Sequence, residues 1–200
     1  MNNYDLSRDR AQAYFLNFDI AKIIEKWGLP VEEDRLLVTL FSREYSVCCR
    51  TGAVLRSDGT QADYNEVLTI FDLLCHEGQQ SVTGRFATVN SLKGLPKGAG
   101  VGTDFHTKQA AIFDRDPEAF RKACLALGGQ PVAMGDMGFR FPMFGPLSVI
   151  LKFYHSDEDF PASVTLLWEE NTLQYLLYET VFYAAGVLLN AIQEQFGEQL

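Results

Sequence analysis

Two apolar runs, residues 147–154 and 162–168, flank the acidic bend Ser156-Asp157-Glu158-Asp159-Phe160-Pro161, and no other segment constrains the fold as strongly. Both runs are rich in β-branched, leucine and aromatic side chains, the composition of a buried or half-buried strand. The polar bend with its proline closes a hairpin between them. A two-stranded hairpin is marginal alone in water, so it must join a larger antiparallel sheet and bury one face against other elements.

The first half carries the same signals. Leu36-Leu37-Val38-Thr39-Leu40-Phe41 and Tyr45-Ser46-Val47-Cys48-Cys49 read as strands, and Thr51-Gly52 turns the chain into Ala53-Val54-Leu55. Turns this short cannot carry a helical crossover, so the pairing is an antiparallel meander.

Helical stripes separate these blocks. Leu16, Ile20, Ile23 and Trp27 stop at Gly28 ahead of Pro30, which predicts one N-terminal helix. Tyr64, Val67, Leu68, Phe71 and Leu74 form a second stripe, opened by an Asp63-x-x-Glu66 capping box and ended before Gly78. Residues 82–89 predict a strand running into a loop, 91–103, that holds Pro96 and the glycines 94, 98, 100 and 102. The third helix comes in two pieces. The second piece has Asp116 as N-cap, Pro117 at the first helical position, Phe120, Cys124 and Leu127 on one face, and Gly128-Gly129 as its stop. Asn171-Thr172 opens a long last helix with Leu173, Leu177, Val181, Ala184, Leu188 and Ile192 on one face, up to Gly197. Tyr175, Tyr178 and Phe182 on its other face predict burial on more than one side. The fold class is therefore α+β: a mainly antiparallel sheet packed with helices, including a long C-terminal helix. With 200 residues, no repeat and no interior linker, the expected organisation is one domain, 1–200.

Charge narrows the function classes. The net charge is −9 and the 17 basic residues form no run, which opposes binding to a phosphate backbone and excludes nucleic acid as an expected partner. No apolar stretch approaches the roughly 18 residues of a membrane span, and Met1-Asn2-Asn3-Tyr4-Asp5 is no signal sequence; the expectation is a soluble, cytoplasmic protein with no membrane partner. Cys48, Cys49, Cys75 and Cys124 match no zinc or iron–sulfur spacing and are expected to be reduced core thiols.

Four constellations offer chemistry. Glycines in front of a helix free backbone N–H groups for an anion, and Lys93, Lys97 and Lys108 lie close by. However, Gly98-Ala99-Gly100-Val101-Gly102-Thr103 puts a threonine where a dinucleotide fingerprint needs its third glycine. Asp104 would also repel a phosphate at the helix start. Asp157, Glu158 and Asp159, with Asp136, supply oxygens suited to magnesium or calcium, but a solvated turn is the favoured explanation; no metal set is assigned. Cys75-His76-Glu77 looks like a nucleophile beside a base, yet helix neighbours point about 100° apart. Arg85, Arg140 and Trp168, among many aromatics, have the composition of an apolar pocket with a guanidinium at its mouth.

The order of segments is also familiar: Leu68-Thr69-Ile70-Phe71-Asp72-Leu73-Leu74 ahead of Gly84-Arg85-Phe86-Ala87-Thr88-Val89, Gly94-Leu95-Pro96, and Gly135-Asp136-Met137-Gly138-Phe139. The aromatic strand, the Asp157-Glu158-Asp159-Phe160-Pro161 bend and Tyr175-Leu176 follow. In this the chain resembles the bacterial and archaeal DUF3786 family over about residues 36–189. The resemblance implies no established activity and no catalytic residues. It implies a link to anaerobic redox or corrinoid metabolism through relatives joined to Cys-rich iron–sulfur modules; this chain has no Cys-x-x-Cys.

The leading expectation is a module that binds a small molecule or a protein partner without catalysing a reaction. The residues expected to bind are Lys97, Gly98 and Gly100 in the loop, with Arg140, Asp157, Asp159 and Trp168 in or near the hairpin. The alternatives are a metal- or thiol-dependent enzyme using the acidic bend or Cys75, and an oligomerisation module in which aromatics of the last helix form a homodimer interface. No cofactor follows from these patterns.

Overall fold

The computed structural model describes residues 3–78, 81–100 and 106–198. Among these residues it has six α-helices and two antiparallel sheets, an α+β architecture. The first sheet is a meander of β1 (Val31–Glu32), β2 (Arg35–Leu40), β3 (Arg43–Cys48) and β4 (Val54–Arg56), in that order. The second has the order β5 (Phe86–Ala87), β9 (Ser163–Glu169), β8 (Leu147–Tyr154), β7 (Met137–Phe144) and β6 (Gln130–Pro131). The expected hairpin is β8–β9, with Val149 opposite Trp168 and Tyr154 opposite Ser163.

α1 (Asn3–Leu16) and α2 (Ile20–Trp27) replace the single N-terminal helix expected from the stripe. The break follows from Asp19, whose side chain accepts the N–H of Ala21 at 3.0 Å and starts α2 afresh. Leu16, counted in the stripe, is exposed, whereas Phe15 is buried and stacks on Phe71 of α3 (Tyr64–Cys75). α3 is capped as its sequence predicts: Asp63 accepts the Glu66 N–H at 3.0 Å and Glu66 accepts the Asp63 N–H at 2.7 Å.

Two further expectations are corrected. Residues 82–89 are not a strand along their length; only Phe86 and Ala87 pair, with Glu169 and Trp168. Gly84 sits at φ 71°, outside the extended region, and turns its N–H onto the Glu169 side chain instead of a ladder. The last helix, α6, spans Tyr178–Glu198 rather than starting at Asn171. The intervening chain is a single 3-10 turn, Thr172–Gln174, because the Thr172 hydroxyl donates back to the Glu169 carbonyl at 2.7 Å. The start of α6 is braced from α3, where Asp72 accepts the Leu177 N–H at 2.7 Å.

α4 (Thr107–Phe113) and α5 (Pro117–Ala126) are the two pieces of the third helix, the second capped by Asp116 on the Ala119 N–H. β7, which no run of β-branched residues announced, buries Phe139, Phe141 and Met143 on one side of the sheet and turns Arg140 to the other. Phe113, Phe120, Phe139 and Phe153 pack ring to ring between this sheet and the helices. The two sheets meet at the β2–β3 turn, where the Phe41 N–H donates to the Met143 carbonyl at 2.9 Å. No helix among the described residues is long and apolar enough to cross a membrane.

Candidate binding cleft

A cleft of about 1280 Å³ opens between α2, the chain leaving α3, the β7–β8 turn and the segment that precedes α6. Its aromatic wall starts with Trp27, the last residue of α2. The indole packs edge-on against Phe144, with ring centroids 4.7 Å apart, and lies 6.2 Å from the ring of Tyr175. Gly145 makes this possible. Its φ is 52°, and a Cβ there would stand 3.0 Å from the indole. The indole Nε1 is buried and has no hydrogen-bond partner.

Lys26 lies over the indole face, Nζ 4.7 Å from the ring centre, and donates to the carbonyl of His76. Burial pushes its amine below the usual lysine range, against the pull of Cys75 and Glu77. Cys75 is itself buried, and burial with the Asp72 charge beside it pushes the thiol up to about 12. That holds the sulfur as a neutral thiol, the opposite of what a thiol nucleophile requires.

Behind the wall formed by Ser81 and Tyr175 are two buried acceptors from the end of β9. Glu169 is 0 % exposed. Its Oε2 accepts the Gly84 N–H at 3.0 Å, and its Oε1 has no hydrogen-bond partner. Arg140 Nη2 comes only to 4.0 Å of that oxygen. The guanidinium is committed elsewhere, with Nε donating to the Ser148 hydroxyl at 2.9 Å and the plane resting over Phe86 at 5.3 Å. Asn171, also buried, spends its amide NH₂ on the Ser81 carbonyl at 2.8 Å and leaves its Oδ1 unpartnered. Tyr175 feels both its burial and the Glu169 charge, which raise its phenol above the ordinary value.

Between these acceptors, Glu170 fastens the neighbouring segment. It receives Lys93 at 2.8 Å and the Arg85 guanidinium, which together hold its carboxyl down to about 2. Its N–H donates to the Arg85 carbonyl and its own carbonyl accepts from the Lys93 N–H, both at 2.8 Å. The chain 81–93 is thereby moored along Glu169, Glu170 and Asn171.

The residues expected from sequence to bind are spread apart. Arg140 is beside Glu169. Trp168, the residue before Glu169 on β9, points to the opposite side and is core. Asp157 and Asp159 lie on the exposed bend at the far end of β9, about 20 Å from Glu169 at roughly 3.3 Å per residue. Asp157 is spent on its own turn, accepting the N–H groups of Asp159 at 2.9 Å and Phe160 at 2.7 Å. Lys97, Gly98 and Gly100 are exposed in the loop, where Pro96 and Ala99 close a turn; Gly102, Thr103 and Asp104 lie outside the described residues. Among the described residues no group of three or more His, Cys, Asp or Glu side chains is placed to hold a metal ion.

Residues 19–191 match the family described as Domain of unknown function (DUF3786), which is most of the chain. The chain belongs to the DUF3786 family. The match starts at Asp19, so α2, with Lys26 and Trp27, falls inside the DUF3786 region, whereas α1 precedes it. No curated protein and no solved structure matches the chain. Glu169, Asn171 and Tyr175 were not singled out in sequence as binding residues. The one signal was a carboxylate pair, Glu169-Glu170, closing an apolar strand, where alternation sends only one of the two outward.

Proposed function

We propose that this DUF3786 protein is a small-molecule-binding module whose site is the cleft walled by Trp27 and Tyr175, with Lys26, His76 and Ser81 among its polar lining. The observation that carries the reading is a cleft of about 1280 Å³ whose wall includes Trp27, with its buried indole N–H left without a partner. Such an atom costs about 1–3 kcal/mol while it stays unpaired, and a bound molecule recovers that cost. The cavity volume, at 1280 Å³, is more than the roughly 300–1,000 Å³ that small-molecule sites occupy. Its lining mixes aromatic and aliphatic residues, among them Phe18, Trp27, Leu74 and Tyr175, with charged and polar ones, among them Lys22, Lys26, Glu77 and Ser81. A binding role needs no activated nucleophile, in keeping with the neutral Cys75 thiol. The link to anaerobic redox or corrinoid metabolism rests on the family resemblance and not on a residue of the cleft.

Native mass spectrometry of the freshly purified protein tests this. The expected result is a stoichiometric mass above that of the chain, lost on denaturation, absent from Trp27→Leu and kept in Asp157→Ala. A mass kept in Trp27→Leu and lost in Asp157→Ala would move the site to the acidic bend and sink this reading.

A further inference from the structure

We infer that the end of the second sheet where Met134, Tyr154 and Phe160 stand exposed among four carboxylates docks a protein partner, through an amphipathic segment whose apolar side chains are flanked by Lys or Arg. The surface is separate from the cleft and does not depend on it. β8 ends at Tyr154, and the acidic bend returns the chain to Ser163, the residue paired with Tyr154. The turn ahead of β7 comes back to the same place. There the Asp136 N–H donates to the Phe153 carbonyl at 2.9 Å, and Asp136 Oδ2 accepts the His155 N–H at 2.8 Å. Tertiary structure thus collects three exposed large hydrophobics from two stretches of sequence. Phe160, at 69 %, is the most exposed large hydrophobic side chain among the described residues.

A phenylalanine this exposed adds little burial to its own fold, whereas a partner that covers it removes the ring from water. The bend also holds it in place. The Asp157 N–H donates to the Phe160 carbonyl at 2.9 Å, Asp157 Oδ1 accepts the Phe160 N–H at 2.7 Å, and Pro161 restricts the chain that follows. An anchor whose backbone is already ordered loses less freedom on binding. Charge then selects the partner. Asp136, Asp157, Glu158 and Asp159 are all exposed, and among the described residues none of them is in an ion pair. The cationic side chains at this end are engaged elsewhere: Lys152 lies over the Tyr154 ring at 5.2 Å, and His155 Nδ1 is 2.8 Å from Asp114. A nucleic acid or an anionic membrane would be repelled by the four carboxylates, and a second copy of the chain would set the same four against its own. Lys or Arg beside an apolar contact pairs with them.

Fluorescence anisotropy on the intact protein tests this with a short amphipathic peptide of leucine and lysine, beside its leucine and glutamate counterpart. The lysine peptide is expected to bind, and the glutamate peptide about tenfold or more weakly. Phe160→Ser should weaken the lysine peptide about tenfold or more, whereas Leu125→Ser, at an exposed leucine on α5, should leave it unchanged. Glu158→Gln combined with Asp159→Asn should flatten its dependence on salt. On the unaltered protein, hydrogen exchange should slow around residues 154–163 when the lysine peptide is bound, so the location does not hang on how a variant folds. Failure of the lysine peptide to bind, equal binding of the two peptides, unchanged affinity in Phe160→Ser or protection confined to another region would each overturn the inference. A dimer in light scattering that Phe160→Ser dissociates would give this face to a second copy and overturn it as well.

Discussion

Glu66 and Glu169 are both buried, 2 % and 0 % exposed, and yet they are equipped in opposite ways. Glu66 sits where α3 meets the first sheet and every direction around it supplies a donor. Arg56 Nε lies 3.0 Å from both oxygens, Tyr45 donates its hydroxyl at 2.8 Å, and the Asp63 N–H closes the capping box at 2.7 Å. Arg43 adds charge at 3.9 Å. Glu169 has one backbone N–H and, like Glu66, a more distant arginine, with Arg140 Nη2 at 4.0 Å. The difference is in donors supplied, not in burial. A buried carboxylate whose lone pairs are filled ties two elements together, and one with an unfilled lone pair adds less to the packing around it.

The largest expected effect breaks or keeps this contrast directly. Glu66→Ala should cost about 3–5 kcal/mol, because it strands the buried Tyr45 hydroxyl and the partly buried Arg56 charge together. Glu169→Gln should change stability by less than about 1 kcal/mol, since it removes a charge that has little compensation to lose. Urea denaturation of both variants checks the pair. Equal losses would mean that Glu169 is as structural as Glu66.

Asp114 is an intermediate case and sharpens the rule that donor count decides. Burial raises its carboxyl, but the Ser156 hydroxyl at 2.5 Å, the His155 ring at 2.8 Å and the Ser156 N–H at 3.3 Å outweigh this and hold it below the usual carboxylate range. A lowered folded value means that Asp114 contributes stability above the unfolded carboxylate value of about 3.9 and loses it as the pH falls through the folded value. Asp114→Asn should therefore melt below the wild type at pH 6, with the gap closing toward pH 2. A gap independent of pH would show that the charge of Asp114 is not what matters.

The smallest effect lies at the turn joining the two regions. Phe41 and Ser42 have φ values of 48° and 60°, a left-handed pair between β2 and β3 with no glycine in it. Ser42→Gly should raise stability by about 0.5–1 kcal/mol by relieving that strain, measured as a shift of the urea midpoint at unchanged slope. No gain would mean that the lost unfolded-state restriction offsets the relief.

Much of the fold was legible in the chain, and particular residues show why. Asp63 and Glu66 announce the start of α3 because a capping box needs only groups three positions apart. Asp116, Pro117 and Gly128 bracket α5 for the same local reason. The β8–β9 hairpin is readable because its strands and its bend are contiguous. Where reading failed, a distant partner had taken over: Gly84 left the ladder for the Glu169 side chain, and the start of α6 waited for Asp72. The candidate site was the least legible part. Arg140 was expected and does stand beside Glu169, but Trp168 fell on the core face. The acidic bend, conspicuous in sequence, accepts hydrogen bonds from its own backbone.

By itself the sequence determined the α+β class, most helix and strand signals, and family membership, since each depends on residue order and on side chains a few positions apart. Only the tertiary structure decided which buried glutamate has its oxygens filled, and that Trp27 and Tyr175 come together on the wall of one cleft. Those outcomes depend on burial and on donors brought from remote elements, which no local pattern encodes.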